Sequence, residues 1–303
     1  MTVSDDQWRL DPPPQLPPGR LVIVPQRGEF VVRDSGGEGP VVLLLHGWMF
    51  AADLNWWPSY RPLIEAGYRV IALDHRGHGR GLRTPAPFRL VDCADDAAAV
   101  LRTLGCEQAI AVGYSMGGPI AALTARRHPQ LIGGVVFCAT AAHWQKRSMK
   151  VAWRLAGLIR LVLGLFPLEV WRWALRRVGL PDSPRTTWLA SELTRGSARD
   201  LAEAGRELGR YDGRPWLGQL TQPAGVVVTG RDRDVPPHMQ RELAQLTGAA
   251  KYEVPGTHFA VSEISEQFNA ALLDALRSVQ GQAVAPDGAR PDQSLAGSRA
   301  IAG

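Results

Sequence analysis

A chain of 303 residues with 45% hydrophobic and 21% charged residues can bury a sizeable core, and that composition excludes a fibrous or wholly disordered protein. Its net charge of +5 is concentrated: between His143 and Leu180 eight Lys/Arg stand against one acid, Glu169, a local +7 that leaves −2 for the rest. So local a basicity argues against the diffuse positive face that nucleic acid requires, and no nucleic-acid partner is expected.

In chain order, residues 1–19 include the run from Asp11 to Gly19, five of whose nine residues are proline. This segment carries too little apolar surface to offset the entropy of ordering and is expected to be a flexible tail. Asp5 and Asp6 followed by prolines do not make a secretory leader. From residue 20 the chain alternates β-rich runs with helical patterns, which predicts a mostly parallel sheet covered by helices on both faces. Expected strands are Leu21–Val24, Phe30–Arg33, Val41–Leu45, Arg69–Leu73, Ala109–Val112, Gly134–Cys138, Gly225–Val228 and Lys251–Val254. The first two form a hairpin turning at Gln26, Arg27 and Gly28. Val41–Leu45 and Gly225–Val228 lack polar alternation, as strands buried on both faces do. Helices are expected at 53–66, 91–104, 116–127, 237–247 and 263–279.

From 141 to 216 the alternation stops and the pattern is helical throughout, with six of the ten tryptophans inside it. The expected organisation is a core domain over 20–140, a helical cap inserted at 141–216, the core resumed over 217–279, and a second flexible tail at 280–303. Within the cap Val151, Leu155, Leu158, Val162 and Leu165 form one apolar helical stripe. The preferred expectation is that this stripe covers the catalytic sheet. The competing one is an interfacial surface, since basic residues beside Trp and Leu suit an anionic membrane touched peripherally. No stretch of 18 apolar residues is free of charge, so no spanning helix is expected. Cys93, Cys106 and Cys138 make neither a disulfide framework nor a metal-ligand pattern, which points to reduced core thiols, a cytoplasmic location and no metal.

The chemistry is carried first by Gly113-Tyr114-Ser115-Met116-Gly117, a G-x-S-x-G run placed after a strand and opening a helix. The serine must occupy a strained strand-to-helix turn, which leaves no room for side chains at the small positions. That turn exposes the hydroxyl and offers the Met116 N–H to an oxyanion. A serine needs a base oriented by an acid. His258 lies after the last strand in Val254-Pro-Gly-Thr-His258 and is the expected base. The expected acid is Asp232, four residues before Pro236; Asp234 sits nearer the helix and could serve its N-terminus instead. The loop His46-Gly47-Trp48 supplies the second oxyanion donor, the Trp48 N–H, with His46 bracing the loop by hydrogen bonds. Gly47, Trp48 and Tyr114 are the expected substrate contacts. Asp74 and Arg76, in the Gly-rich turn 74–79, are expected in internal polar contacts, and His128 and His238 on the surface.

Together these elements resemble the α/β-hydrolase superfamily over about residues 20–279. The resemblance implies an eight-stranded, mostly parallel α/β-hydrolase sheet, no cofactor, and acyl transfer from a small-molecule or lipid ester to water through an acyl-enzyme. Epoxide hydrolases and haloalkane dehalogenases share the fold but use an aspartate nucleophile, whereas Ser115 is a serine. Perhydrolases and carbon–carbon hydrolases keep the Ser-Asp-His set, and non-catalytic members would lack one of its residues. One departure is Arg80-Gly81, where relatives often carry Ser after the His-Gly turn.

Overall fold

The computed structural model describes Pro13 and residues 16–144, 156–165, 167–177 and 182–284. Eight strands form one sheet: β1 (Gly19–Val24), β2 (Gly28–Asp34), β3 (Val41–Leu45), β4 (Arg69–Leu73), β5 (Ala109–Tyr114), β6 (Ile132–Cys138), β7 (Ala224–Thr229) and β8 (Ala250–Val254). Their spatial order is β1-β2-β4-β3-β5-β6-β7-β8. Only β2 runs antiparallel to its neighbours β1 and β4; the other pairs are parallel. The β1–β2 hairpin turns where expected, with Gln26 in the left-handed region (φ 63°) and Val24 facing Gly28.

The uninterrupted apolar runs have a direct explanation in the layers. Alternate residues of each strand point to opposite faces, and both faces are covered. Leu43, Leu45, Ala111, Phe137 and Val226 pack with helices α2 (Leu90–Thr103) and α3 (Gly117–Arg127). Val42, Leu44, Val112, Val136 and Val227 face α1 (Ala52–Glu65) and the long C-terminal helix, through Trp56, Tyr60, Phe268 and Leu272. Cys93, Cys106 and Cys138 are free and buried within these layers.

Between β6 and β7 the described chain is helical: α4 (Ala156–Leu165), α5 (Pro167–Arg177), α6 (Pro184–Thr194), α7 (Ala198–Arg210), then a 3₁₀ turn at Leu217–Gln219. Helix α6 opens with a capping box, Ser183 and Thr186 serving each other's backbone. The later chain adds α8 (Pro237–Thr247), a short α9 (Ala260–Glu263) and α10 (Ser265–Val284). No helix among the described residues is long and apolar enough to cross a membrane.

Three expectations require correction. The C-terminal tail does not start at 280, because α10 continues to Val284; Val279 is fully buried and the Tyr68 hydroxyl donates to Gln280 at 3.3 Å, which carries the helix through Gly281. The N-terminal tail ends early as well: Leu16 packs on the core and the Pro17 carbonyl accepts from Arg33 at 2.9 Å. Nor does the α4 stripe cover the sheet. Leu158, Val162 and Leu165 are exposed, and α4 lies against α7. Val151 and Leu155 lie outside the described residues.

Candidate active site

Every element of the site stands at the carboxyl edge of the parallel strands, where the chain order reverses on either side of β3 and a crevice opens. Ser115 follows β5 with φ 51°, a left-handed conformation that a non-glycine residue adopts only when its surroundings enforce it. They do so sterically. A Cβ on Gly113 would sit 2.2 Å from the Gly117 carbonyl oxygen, and one on Gly117 would sit 2.1 Å from that of Leu45. Backbone cannot yield to such contacts, so both positions must be glycine. The Thr140 hydroxyl donates to the Ser115 carbonyl at 2.7 Å and the Ser115 N–H reaches Cys138 at 3.0 Å, which fixes the turn from β6.

His258 bridges to Ser115 from the loop after β8. Its Nε2 lies 3.0 Å from Ser115 Oγ and its Nδ1 lies 2.7 Å from Asp232 Oδ2. A carboxylate can only accept, so Nδ1 carries the ring proton and Nε2 is left to accept from the serine hydroxyl. Asp232 is almost completely buried and is held at five points, the longest being the Gln240 amide at 3.4 Å from Oδ2. Its Oδ1 takes the N–H groups of Asp234 (2.9 Å) and Val235 (2.8 Å), and its Oδ2 takes the Thr229 hydroxyl at 2.9 Å besides His258. Asp234 is exposed on the rim, with its backbone serving Asp232, and no side chain caps α8.

Several supports have no motif in the sequence. Gln240, wholly buried in α8, accepts from the Thr229 N–H at 3.0 Å and donates to the Thr229 hydroxyl at 2.8 Å and the Val235 carbonyl at 2.7 Å. It thereby fixes both ends of the Asp232 loop. Tyr114 lines the cavity, and its hydroxyl donates to the His258 carbonyl at 2.7 Å, so it anchors His258 as well as facing the cavity. Asn55 accepts from the Gly47 N–H at 2.9 Å and holds the loop after β3.

That loop is built for rigidity. His75 N–H donates to His46 Nε2 at 2.9 Å, which places the His46 proton on Nδ1, 2.8 Å from the Gly47 carbonyl. Burial holds His46 down at about 4, so the ring is a neutral brace. Met49, with φ 67°, is a second strained non-glycine residue on the cavity wall. The Trp48 indole donates to the Leu201 carbonyl in α7 at 2.7 Å and ties the loop to the cap helices. Met116 sits at the N-terminus of α3, where first-turn N–H groups have no carbonyl partner within the helix. Asp74 accepts from the Ala52 N–H at 2.6 Å, capping α1 from another element, and from the Arg80 N–H at 2.7 Å. Arg76 pairs with buried Asp96 at 2.7 Å. Arg80 also reaches Glu192 of α6 at 2.7 Å, and a Cβ on Gly81 would meet the His75 carbonyl at 2.2 Å, so the Arg-Gly departure serves the cap and a tight turn.

Above Ser115 lies a cavity of about 480 Å³, walled largely by apolar groups including Trp48, Phe50, Leu54, Trp144, Leu208 and Phe259. Such a volume takes a small organic molecule rather than a polymer. The arrangement can activate a hydroxyl, hold an oxyanion and exclude water from an apolar substituent.

A family model described as alpha/beta hydrolase fold matches residues 40–167. The chain is 40% identical over 101 residues to epoxide hydrolase B of Mycobacterium tuberculosis, covering 33% of this chain and 28% of that protein. It is 37% identical over 92 residues to a bifunctional esterase/perhydrolase of Acinetobacter calcoaceticus, covering 30% of this chain and 33% of that one. The match thus spans about a third of the length of these relatives. Among solved structures, a bromoperoxidase from Bacillus anthracis superimposes with a TM-score of 0.74 at 21% identity, over 86% of this chain and all of that one. With its eight-stranded sheet, its strained serine turn and these likenesses, the chain has the α/β-hydrolase fold.

Proposed function

We propose that this protein is a serine hydrolase that cleaves a carboxylic ester of modest size with an apolar acyl or alcohol part. The observation that carries the reading is the unbroken relay from Asp232 through His258 to Ser115, at 2.7 and 3.0 Å, on the floor of a mainly apolar cavity. His258 takes the Ser115 proton as Oγ attacks the ester carbonyl, and the Trp48 and Met116 N–H groups receive the oxyanion. Collapse of the adduct expels the alcohol, which takes the proton from His258 and leaves an acyl-Ser115. Water, deprotonated by His258, then attacks the acyl carbon and returns Ser115 and a carboxylic acid.

The likeness to an epoxide hydrolase does not extend to its reaction on this reading. Opening an epoxide with Ser115 would leave an ether, which has no carbonyl for water to attack. The likeness to an esterase/perhydrolase supports the acyl-enzyme, since peroxide in place of water gives a peracid from the same intermediate. The test is labelling with a fluorophosphonate probe and mapping the adduct, alongside turnover of p-nitrophenyl esters. The adduct should sit on Ser115 and vanish in Ser115→Ala. Labelling elsewhere, or turnover that survives Ser115→Ala, would refute the proposal.

A further inference from the structure

Helices α4 and α5 present an apolar face to solvent. On α4, Leu158, Leu161, Val162 and Leu165 follow the i, i+3, i+4, i+7 rhythm that in a packed helix marks the buried side. Here they are 57%, 57%, 39% and 61% exposed. Trp173 on the adjoining α5 is 58% exposed. Single exposed leucines need no explanation, but five large apolar side chains on two adjoining helices do.

We infer that this face docks on an anionic lipid bilayer. Charge complementarity selects the partner. The segment from His143 to Leu180, which contains both helices, carries eight Lys/Arg against Glu169. The Arg177 guanidinium lies over the Trp173 ring at 5.0 Å, which puts a phosphate-binding cation beside an indole at the height where both are favoured in a membrane interface. Arg172 and Arg176 stand on the same helix, held by Asp182. A second copy of the chain would instead set two segments of net +7 against each other, an arrangement that anionic lipid avoids.

The face is also joined to the catalytic cavity. Trp171 and Leu175, on the inward side of α5, pack in one cluster with Ala51, Leu54 and Phe50, and the last two line the cavity. Docking therefore sets the bilayer against the helix that backs the cavity wall, and esters partitioned in the membrane become the natural substrates. This last step rests on the ester-hydrolase reading; the docking does not.

The experiment is sedimentation of the full chain with vesicles of phosphatidylglycerol and phosphatidylcholine in equal parts, and with phosphatidylcholine alone. The protein should pellet with the anionic vesicles at low salt, stay in solution with the neutral ones, and be released by high salt. Leu161→Glu, Leu165→Glu and Trp173→Glu combined should weaken binding about tenfold or more, and Arg177→Glu alone should weaken it and flatten its salt dependence. Both variants should keep wild-type turnover of a soluble acetyl ester, which certifies the fold and the site. Ser115→Ala should pellet like wild type, so an inactive wild type that still binds would sink the enzyme reading and leave the docking standing. Failure to pellet with anionic vesicles overturns the inference, as does equal binding by the triple variant. A wild-type dimer that the triple variant dissolves, without vesicle binding, would assign the face to a second copy and overturn it too.

Discussion

Three histidines packed behind the oxyanion loop should make this protein sensitive to mild acid. His46, His75 and His78 are all buried, with ring centroids 4.2 Å apart for His46–His75 and 5.4 Å for His46–His78. Desolvation is the main cause that holds each in the neutral form: His46 is brought down to about 4, His78 to about 3, and His75 well below its usual value. Geometry agrees for His46, since a proton on Nε2 would break its bond from the His75 N–H. The unfolded histidines titrate near 6.5, so below that pH the unfolded state binds more protons and stability falls as pH falls. The loss begins near 6.5 and continues down to the folded values. For His46 a shift of about 2.5 units corresponds to roughly 3 kcal/mol once pH reaches the folded value. Between pH 6 and 5, above the usual carboxylate range, each histidine should remove about 1 kcal/mol and the three together about 3. That is a large part of a total stability of roughly 5–15 kcal/mol. The assay is urea unfolding at pH 7.5, 6.5, 6 and 5. His75→Phe is the informative variant, because both its ring nitrogens lack hydrogen-bond partners among the described residues, and its backbone N–H bond to His46 survives the change. It should hold or raise stability at pH 7.5 and reduce the slope between pH 6 and 5 by about 1 kcal/mol per unit. A wild-type stability flat from pH 6.5 to 5, or an unchanged slope in His75→Phe, would refute the reasoning.

The site yields further predictions. Asp232→Asn should lower kcat about 10² to 10⁴-fold by costing the imidazole its orientation and charge partner, whereas Asp234→Asn, an exposed rim residue, should cost far less; steady-state kinetics in the reverse order would move the acid role to Asp234. Gln240→Leu keeps Asp232 but removes the brace on its loop, so kcat should fall at least about tenfold and stability by about 1–3 kcal/mol from the unpaired Thr229 N–H and Val235 carbonyl. Trp48→Pro deletes a proposed oxyanion donor and should cost roughly 10² in kcat, while Trp48→Ala keeps that N–H and should act mainly on KM by freeing the loop from Leu201. Gly117→Ala drives a Cβ into the Leu45 carbonyl and should destabilise by about 3 kcal/mol or more in urea unfolding.

The strands were legible because both faces of this sheet are covered, which turns each central strand into an unbroken apolar run such as Val41–Leu45. The serine turn was legible because its glycines recur at a fixed local spacing around Ser115, although the backbone that demands them is near in one case, Gly117 for Gly113, and distant in the other, Leu45 for Gly117. Asp232 could be separated from Asp234 by its distance from the helix, and the structure puts Asp232, not Asp234, on His258. Gln240, Asn55 and the Tyr114 hydroxyl were not legible, since each reads locally as an ordinary helix or strand residue. Their meaning lies in partners 11, 8 and 144 positions away in the chain. The cap stripe failed differently. A helical period reveals that one side is apolar but not which way that side faces, and on α4 the described part of it faces outward.

The helices between β6 and β7 meet the core through both polar and apolar contacts. The half formed by α6 and α7 is fastened by polar contacts with the chain between β3 and α2: Trp48 to Leu201, Arg80 to Glu192, Arg83 to the Arg195 carbonyl, the Ser197 N–H to Gly77, and the Phe88 N–H to Glu203. Hydrogen bonds are directional, so these helices hold one position over the loop after β3, whose Trp48 N–H is the proposed oxyanion donor. Helix α6 also packs apolarly, through Trp188 and Leu193, in the same cluster that takes Trp171 and Leu175 of α5 against Ala51, Leu54 and Phe50. Apolar attraction is non-directional, so the proposed lipid docking of α4 and α5 asks nothing of the polar ties that fix α6 and α7. On the proposed reading, the directional contacts stand where the chemistry needs a fixed N–H, and the exposed Leu and Trp face stands on the helices beyond them.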